Sequence, residues 1–178
     1  MKLSAYNPND TAEIEQLFVK TFSEAEGAAE GALIGRLARC LMRHTAQRDL
    51  YGFVAAESGR IVGGIFFSRI TFEDQTRAFI LAPVAVQTDF QGQGIGQRLI
   101  RFGLDALAKD EVELVLTYGD PAFYSKVGFC TVTEAEIPPP LPLQQPEGWL
   151  AQSLQGAGIR PIKGKSACVA ALNKAEYW

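Results

Sequence analysis

Histidine is all but missing from this chain: His44 is the only one in 178 residues. That excludes a histidine-rich metal site. A Ser/His/Asp triad would have to use His44, and nothing around it suggests one. Cysteine is also scarce. Cys40, Cys130 and Cys168 lie far apart, form no CxxC pair and are odd in number. A disulfide framework or zinc ribbon is therefore not expected, and small apolar filler in a reducing cytoplasm is. There is no excess of one charge either. Lys and Arg number 17 against 20 Asp and Glu, a net charge of −3, so the chain carries no electrostatic footprint for non-specific nucleic-acid binding. Long apolar runs are lacking too. The longest, Ala78 to Val86, is interrupted by Pro83, whereas a membrane-spanning helix needs about 20 apolar residues. The start, Met1 to Pro8, has no apolar stretch of the kind that makes a secretory signal.

What is present is an ordinary globular mixture, 47% hydrophobic and 21% charged. Its length suits one domain spanning residues 1–178. Lys2 to Tyr6 reads as a short strand. Asp10 is placed to cap a helix, with Glu13 completing a capping box, and Ile14, Leu17, Phe18 and Phe22 recur at helical spacing. Leu33, Ile34, Leu37, Ala38, Leu41 and Met42 predict a second helix, with Ser23 to Gly27 as the loop between. Tyr51 to Glu57, a Ser58-Gly59 turn and Arg60 to Ile70 predict a hairpin. Gly63-Gly64 marks a bulge or a close approach. Arg77 to Val86 follows as a strand covered on both faces in its second half.

A glycine-rich turn, Gln91-Gly92-Gln93-Gly94-Ile95-Gly96, then opens a helix with apolar positions at Ile95, Leu99, Phe102, Ala106 and Leu107. Val112 to Tyr118 is a further strand, and Pro121 to Val127 a short helix capped by Asp120 and ended by Gly128. Phe129 to Thr133 is strand-like. Residues 134–178 begin with a proline-rich connection, Ile137 to Pro146, and close with strands at Trp149–Leu154 and Ala167–Leu172. The connection is expected to be extended, exposed and near the acceptor end of a substrate groove, or else a plain surface link.

The glycine turn carries the chemistry. Glycine permits positive φ and lets a ligand approach the backbone. The first amides of the following helix have no intrahelical acceptor. Together these make an anion site, most naturally for phosphate. Gly96 is followed by Gln97 and Arg98 rather than Lys and Ser or Thr, which rejects a P-loop. The spacing Gly92-x-Gly94-x-Gly96 is not GxGxxG and sits after a hairpin, which rejects a dinucleotide fold.

The stretch Val84 to Gly96, with its Gln-x-x-Gly-x-Gly core, resembles the acetyl-CoA-binding motif of the GNAT N-acetyltransferase superfamily. Tyr118-Gly119-Asp120-Pro121-Ala122-Phe123-Tyr124 through Gly128-Phe129 is similar to the superfamily's next motif. The Gly-Asp-Pro opening resembles a bacterial subgroup described as predicted acetyltransferases. The resemblance implies an α/β fold, a mixed, twisted central sheet flanked by helices, with two central parallel strands splayed apart. By position those strands are Arg77–Val86 and Val112–Tyr118. It further implies acetyl-CoA as co-substrate and no metal. Backbone groups of Val84, Ala85 and Val86 would meet the pantetheine arm and the acetyl carbonyl. Gln91, Gly92, Gln93, Gly94, Ile95, Gly96 and Gln97 would hold the pyrophosphate, with Asp120, Phe123 and Tyr124 completing the cofactor set. Many family members have asparagine where this chain has Asp120.

The expected reaction is direct attack of a primary amine, of a small molecule or peptide, on acetyl-CoA in a ternary complex. Tyr124 matches the family's proton donor, and a phenol near its usual pKa of about 10 can protonate a departing thiolate. The alternative for its ring is packing, like Phe123. The general base is open among Glu24, Glu26, Glu30, Glu73 and water. A non-catalytic acyl-CoA sensor or an interaction protein on the same fold is the alternative to an enzyme. The expected assembly is a monomer or homodimer, with no nucleic-acid or membrane partner.

Overall fold

Runs of alternating or continuous apolar residues bounded by turns become strands. In the computed structural model, which describes residues 1–178, these are β1 (Lys2–Ala5), β2 (Leu50–Glu57), β3 (Arg60–Phe72), β4 (Ala78–Val86), β5 (Leu114–Tyr118), β6 (Cys130–Thr131), β7 (Trp149–Ser153) and β8 (Ser166–Cys168). The helices are α1 (Thr11–Glu26), α2 (Ala28–His44), α3 (Ile95–Lys109) and α4 (Pro121–Tyr124). The chain forms two compact units, residues 1–67 with 83–103 and residues 68–82 with 104–178. No helix is long and apolar enough to cross a membrane.

In the first unit the strand order is β1-β2-β3-β4. β1 runs antiparallel to β2, Leu3 opposite Ala55. Ser58 and Gly59 both take positive φ, 49° and 80°, as a two-residue hairpin turn matched to strand twist requires. Ile14, Leu17 and Phe18 of α1 and Leu37, Ala38 and Leu41 of α2 are buried. Each of these side chains except the Ala38 methyl contributes about 1.5–3 kcal/mol by leaving water.

Three expectations change here. The polar stretch Ser23–Glu26 is the last turn of α1, not a loop, and only Gly27 at φ 100° separates the helices. Asp10 makes no side-chain cap, because a 3-10 turn over Pro8–Asp10, capped by Asn7, already leads into α1. Glu13 closes no capping box. Its carboxylate instead accepts from the Ile61 N–H on β3 at 2.9 Å. Gly63 and Gly64 give close approach: Leu17 and Phe18 lie over Gly64, and Leu99 with the Ala85 carbonyl over Gly63.

α3 buries Ile95, Leu99, Ile100, Leu104 and Leu107. Phe102 is not on that face. It stays 37% exposed and meets Phe53 edge-on at 5.5 Å.

In the second unit β4 is followed by β5, β7 and β6, and β8 joins the end of β3. β4 and β5 are parallel, from Ala78 opposite Leu114 to Leu81 opposite Thr117. β4 continues to Val86, past the last of these pairs. β5 pairs antiparallel with β7, so this unit is mixed, with one parallel pair. The strand expected at Phe129–Thr133 shrinks to Cys130–Thr131, and that expected at Ala167–Leu172 becomes β8 plus a 3-10 turn at Ala170–Leu172.

The proline segment is irregular but not simply exposed. Ile137 is fully buried. Its carbonyl accepts from Trp149 Nε1 at 2.9 Å, and the Pro138 carbonyl from Ser166 Oγ at 2.6 Å. Gln145 N–H donates to Tyr118 Oη at 2.7 Å, at the end of β5. Tyr118 in turn stacks on Trp178 at 6.4 Å. Prolines remove donors, so the segment is held by its carbonyls and by one N–H beyond the proline run.

Candidate active site

In the first unit the site begins with the last residues of β4. Gln87 N–H donates to the Val62 carbonyl of β3 at 2.8 Å. Peptide groups alternate along a strand, so the N–H and C=O of Val86 and Val84 turn to the other edge. The Val86 carbonyl there accepts from Gln91 Nε2 at 2.9 Å. Gln91 therefore ties the turn back onto the strand that enters it, and the side chain of Ala85 is buried between them in sequence.

A 3-10 turn over Thr88–Phe90 leads into the glycine turn. Gly92 and Gly94 both take φ +73°, and a Cβ on either would meet nothing within 4 Å. Backbone conformation, not crowding by the protein, calls for glycine there. Gly96 needs no such φ, since it is already the second residue of α3. The helix is secured from Arg98 N–H to the Gly94 carbonyl at 3.0 Å. The amides of Ile95, Gly96 and Gln97 precede that bond and are the unpartnered donors of a helix start.

Arg98 was passed over in the sequence except to reject a P-loop. Its guanidinium folds onto the turn and donates to the Gln93 carbonyl at 3.3 Å, adding a full positive charge to the partial charge of the helix end. The signal was available: a cation one turn into a helix that follows glycines. Gln93 itself donates weakly to the Asp89 carbonyl at 3.4 Å.

In the second unit, Asp120 caps α4 as expected. Its Oδ1 accepts from Ala122 N–H at 2.9 Å, with Pro121 in the first helical position. A carboxylate does this as well as an amide would, which accounts for aspartate at 120. Gly128, at φ 98°, ends the following 3-10 turn, and Phe129 N–H returns to the Tyr124 carbonyl at 3.2 Å.

The Tyr124 ring is gripped. Phe123 and Phe129 meet it edge-on at 5.1 and 5.8 Å. Gly119 lies at its edge, where a Cβ would come within 2.8 Å of Cε2. The phenol does not sit at its usual pKa. Burial pushes it up and the Asp120 carboxylate adds to the rise, while Thr117 acts in the opposite direction. Tyr124 is thus held as a neutral phenol well into alkaline solution.

The four candidate bases lie at different places. Glu24 accepts from Thr88 Oγ1 and faces Lys20 at 3.8 Å. Glu73 accepts from Lys165 N–H at 3.0 Å, a bond between segments 92 residues apart. Glu26 ends α1 and Glu30 lies in the first turn of α2. No cluster of His, Cys, Asp and Glu is arranged to hold a metal ion.

Residues 48–131 match the acetyltransferase (GNAT) domain, the stretch that contains the glycine turn and Tyr124. The chain is 30% identical over 152 residues to YjhQ, an uncharacterized N-acetyltransferase of Escherichia coli K12, covering 82% of this chain and 80% of that protein. Its structure is similar to that of YhbS, a GNAT-family N-acetyltransferase from Escherichia coli in complex with CoA, with TM-score 0.80, 25% identity, 98% of this chain and 92% of the other covered. It is also similar to a GNAT-family acetyltransferase from Brucella melitensis in complex with acetyl-CoA, with TM-score 0.72, 25% identity and 97% of each chain covered. This chain belongs to the GNAT acetyltransferase family.

Proposed function

We propose that this protein transfers the acetyl group of acetyl-CoA to a primary amine by direct attack in a ternary complex. The observation that carries the reading is the glycine turn. Two residues at positive φ open a helix whose first amides are unpartnered, in a chain whose relatives include proteins solved with CoA and acetyl-CoA. When bound, acetyl-CoA supplies an acyl group activated as a thioester.

The amides of residues 92–97 and the Arg98 guanidinium hold the phosphates. The outward-turned peptide groups of Val84 and Val86 orient the arm and the acyl carbonyl, and Ala85 packs beneath them. Asp120 and Phe123 place Tyr124, whose hydroxyl protonates the sulfur as the thiol leaves. The proton of the attacking amine leaves to water or to one of the carboxylates Glu24, Glu26, Glu30 and Glu73. Three free thiols suit a reducing cytoplasm.

The test is thiol release from acetyl-CoA against a panel of amines, including amino acids, polyamines, aminoglycosides, peptide N-termini and lysine side chains. Amine-dependent release with a matching acetylated product is expected. Retention of CoA in native mass spectrometry without turnover on any amine would replace the enzyme with an acyl-CoA-binding sensor.

A further inference from the structure

The second unit holds a cavity that the transfer reaction does not use. Its volume is about 340 Å³, and it lies where β5 begins and β7 ends, with Leu114, Ser153 and Gln155 in its wall. β5 runs away from it. At about 3.3 Å per residue, Tyr118 is about 13 Å along that strand from Leu114, and Tyr124 comes after the strand has ended. Residues 157–162 supply another wall, and that stretch is tied down at both ends. Before it, Leu154 N–H donates to the Glu113 carbonyl at 2.9 Å and Gln155 Nε2 to the Val112 carbonyl at 3.0 Å. At its end Ile162 is buried, and its N–H donates to the Glu136 carbonyl at 2.8 Å. Pro161 stiffens the chain between.

Three charged side chains line the cavity: Asp74, Glu113 and Arg160. Each carboxylate is held through one oxygen. Asp74 Oδ1 accepts from Thr76 N–H at 3.0 Å, and Glu113 Oε2 accepts from Arg77 N–H at 2.8 Å. The second oxygen of each is without a partner. Arg160 pairs with neither acid nor with any other group. Opposite charges therefore line one cavity without neutralising each other, and a molecule that satisfies both carries a cation at one end and an anion at the other. The volume is at the small end for ligand sites, about 300–1,000 Å³, which suits a molecule of amino-acid size. We propose that this cavity is a second ligand site, for a free amino acid whose ammonium donates to Asp74 and Glu113 and whose carboxylate accepts from Arg160. A planar guanidinium matches a carboxylate with two parallel hydrogen bonds. The site stands independently of the reaction at Tyr124.

The test adds the standard L-amino acids one at a time, at millimolar concentration and without acetyl-CoA, to ¹⁵N-labelled protein and follows the backbone amides by NMR. At least one should shift residues 113–114 and 153–162. Its N-acetyl form, which lacks the ammonium, and its amide, which lacks the carboxylate, should each bind about tenfold more weakly or worse, the worth of a hydrogen bond to a charged group. Asp74, Glu113 and Arg160 are exposed, so their variants should fold. Asp74→Asn with Glu113→Gln keeps the acceptors for Thr76 and Arg77 and removes both charges; in it the parent and its N-acetyl form should bind alike. In Arg160→Gln the parent and its amide should bind alike, with acetyl-CoA affinity as in wild type. No shift with any amino acid overturns the proposal. So do blocked forms that bind as well as the parent, and so do shifts centred on Tyr118–Tyr124, which would put the amino acid at the transfer site instead.

Discussion

The turn from Gln91 to Gly96 and the helix from Pro121 to Tyr124 each follow a strand and open or form a helix, yet they are made of different groups. The first offers backbone. Gly92 and Gly94 are exposed, with open space where side chains would project, and its one strong side-chain contribution is Arg98 laid along the Gln93 carbonyl. The second offers a side chain. Tyr124 is flanked by two aromatic rings and a glycine, and its acidity is shifted by burial and by a cap carboxylate. A backbone site tolerates wide sequence change as long as φ is accessible. A side-chain site depends on residues brought from several elements, and one misplaced atom is felt.

The largest effect should come from Tyr124→Phe. It removes one hydroxyl and keeps the ring packing, so kcat should drop about 10²-fold, the lower end for a general acid, with acetyl-CoA affinity unchanged. The donor acts only when protonated, and its pKa is raised. The wild-type rate should therefore stay level through neutral pH and fall only above about pH 10, the ordinary phenol value; the variant should lack that limb. Turnover within about twofold of wild type would remove Tyr124 as the acid.

Next is Gly94→Val. A β-branched residue at φ +73° is strained by about 1–3 kcal/mol, so calorimetry should show acetyl-CoA affinity weakened by about tenfold or more while kcat at saturation holds. Gly96→Ala, at a helical φ, should lose less. Equal losses would mean that side-chain bulk, not conformation, governs the turn.

Gly119→Ala probes the contrast from the other side, since it adds a methyl where no positive φ is involved. The new Cβ would press on Tyr124 Cε2, so kcat should fall about threefold to tenfold with affinity intact, the cost of moving a reacting group slightly. Unchanged kcat would show that the ring has room to move.

The smallest effect is on the frame alone. Glu13→Ala leaves the Ile61 N–H without its acceptor. Stability should drop by about 1 kcal/mol and the melting temperature by about 2–4 °C, with kcat unaltered. No change in melting would mean that water replaces the carboxylate.

Much was legible in the residues alone wherever neighbours in the chain decide the outcome. Ser58-Gly59 turns a hairpin because both positions reach positive φ, Asp120 and Pro121 start a helix because their own backbone is two residues away, and Gly92 and Gly94 shape the turn by conformational freedom. Misreadings arose where the partner was remote. Glu13 has the right spacing for a capping box, but the amide it satisfies is 48 residues away. Phe102 fits the helical period, yet the buried stripe of α3 runs through Ile100 and Leu104.

By itself the amino-acid sequence determined the order of strands and helices and the glycine turn, because each depends on periodicity or on φ/ψ available to residues close in the chain, while Tyr124 entered through the resemblance of its motif. Only the tertiary structure decided that Thr117 is tied to Leu81, that Gly119 is required by a ring rather than by a turn, that burial raises the Tyr124 pKa, and that the proline segment is anchored through Ile137, Pro138 and Gln145. Those properties come from burial and from hydrogen bonds between distant residues, and neither exists until the strands have paired.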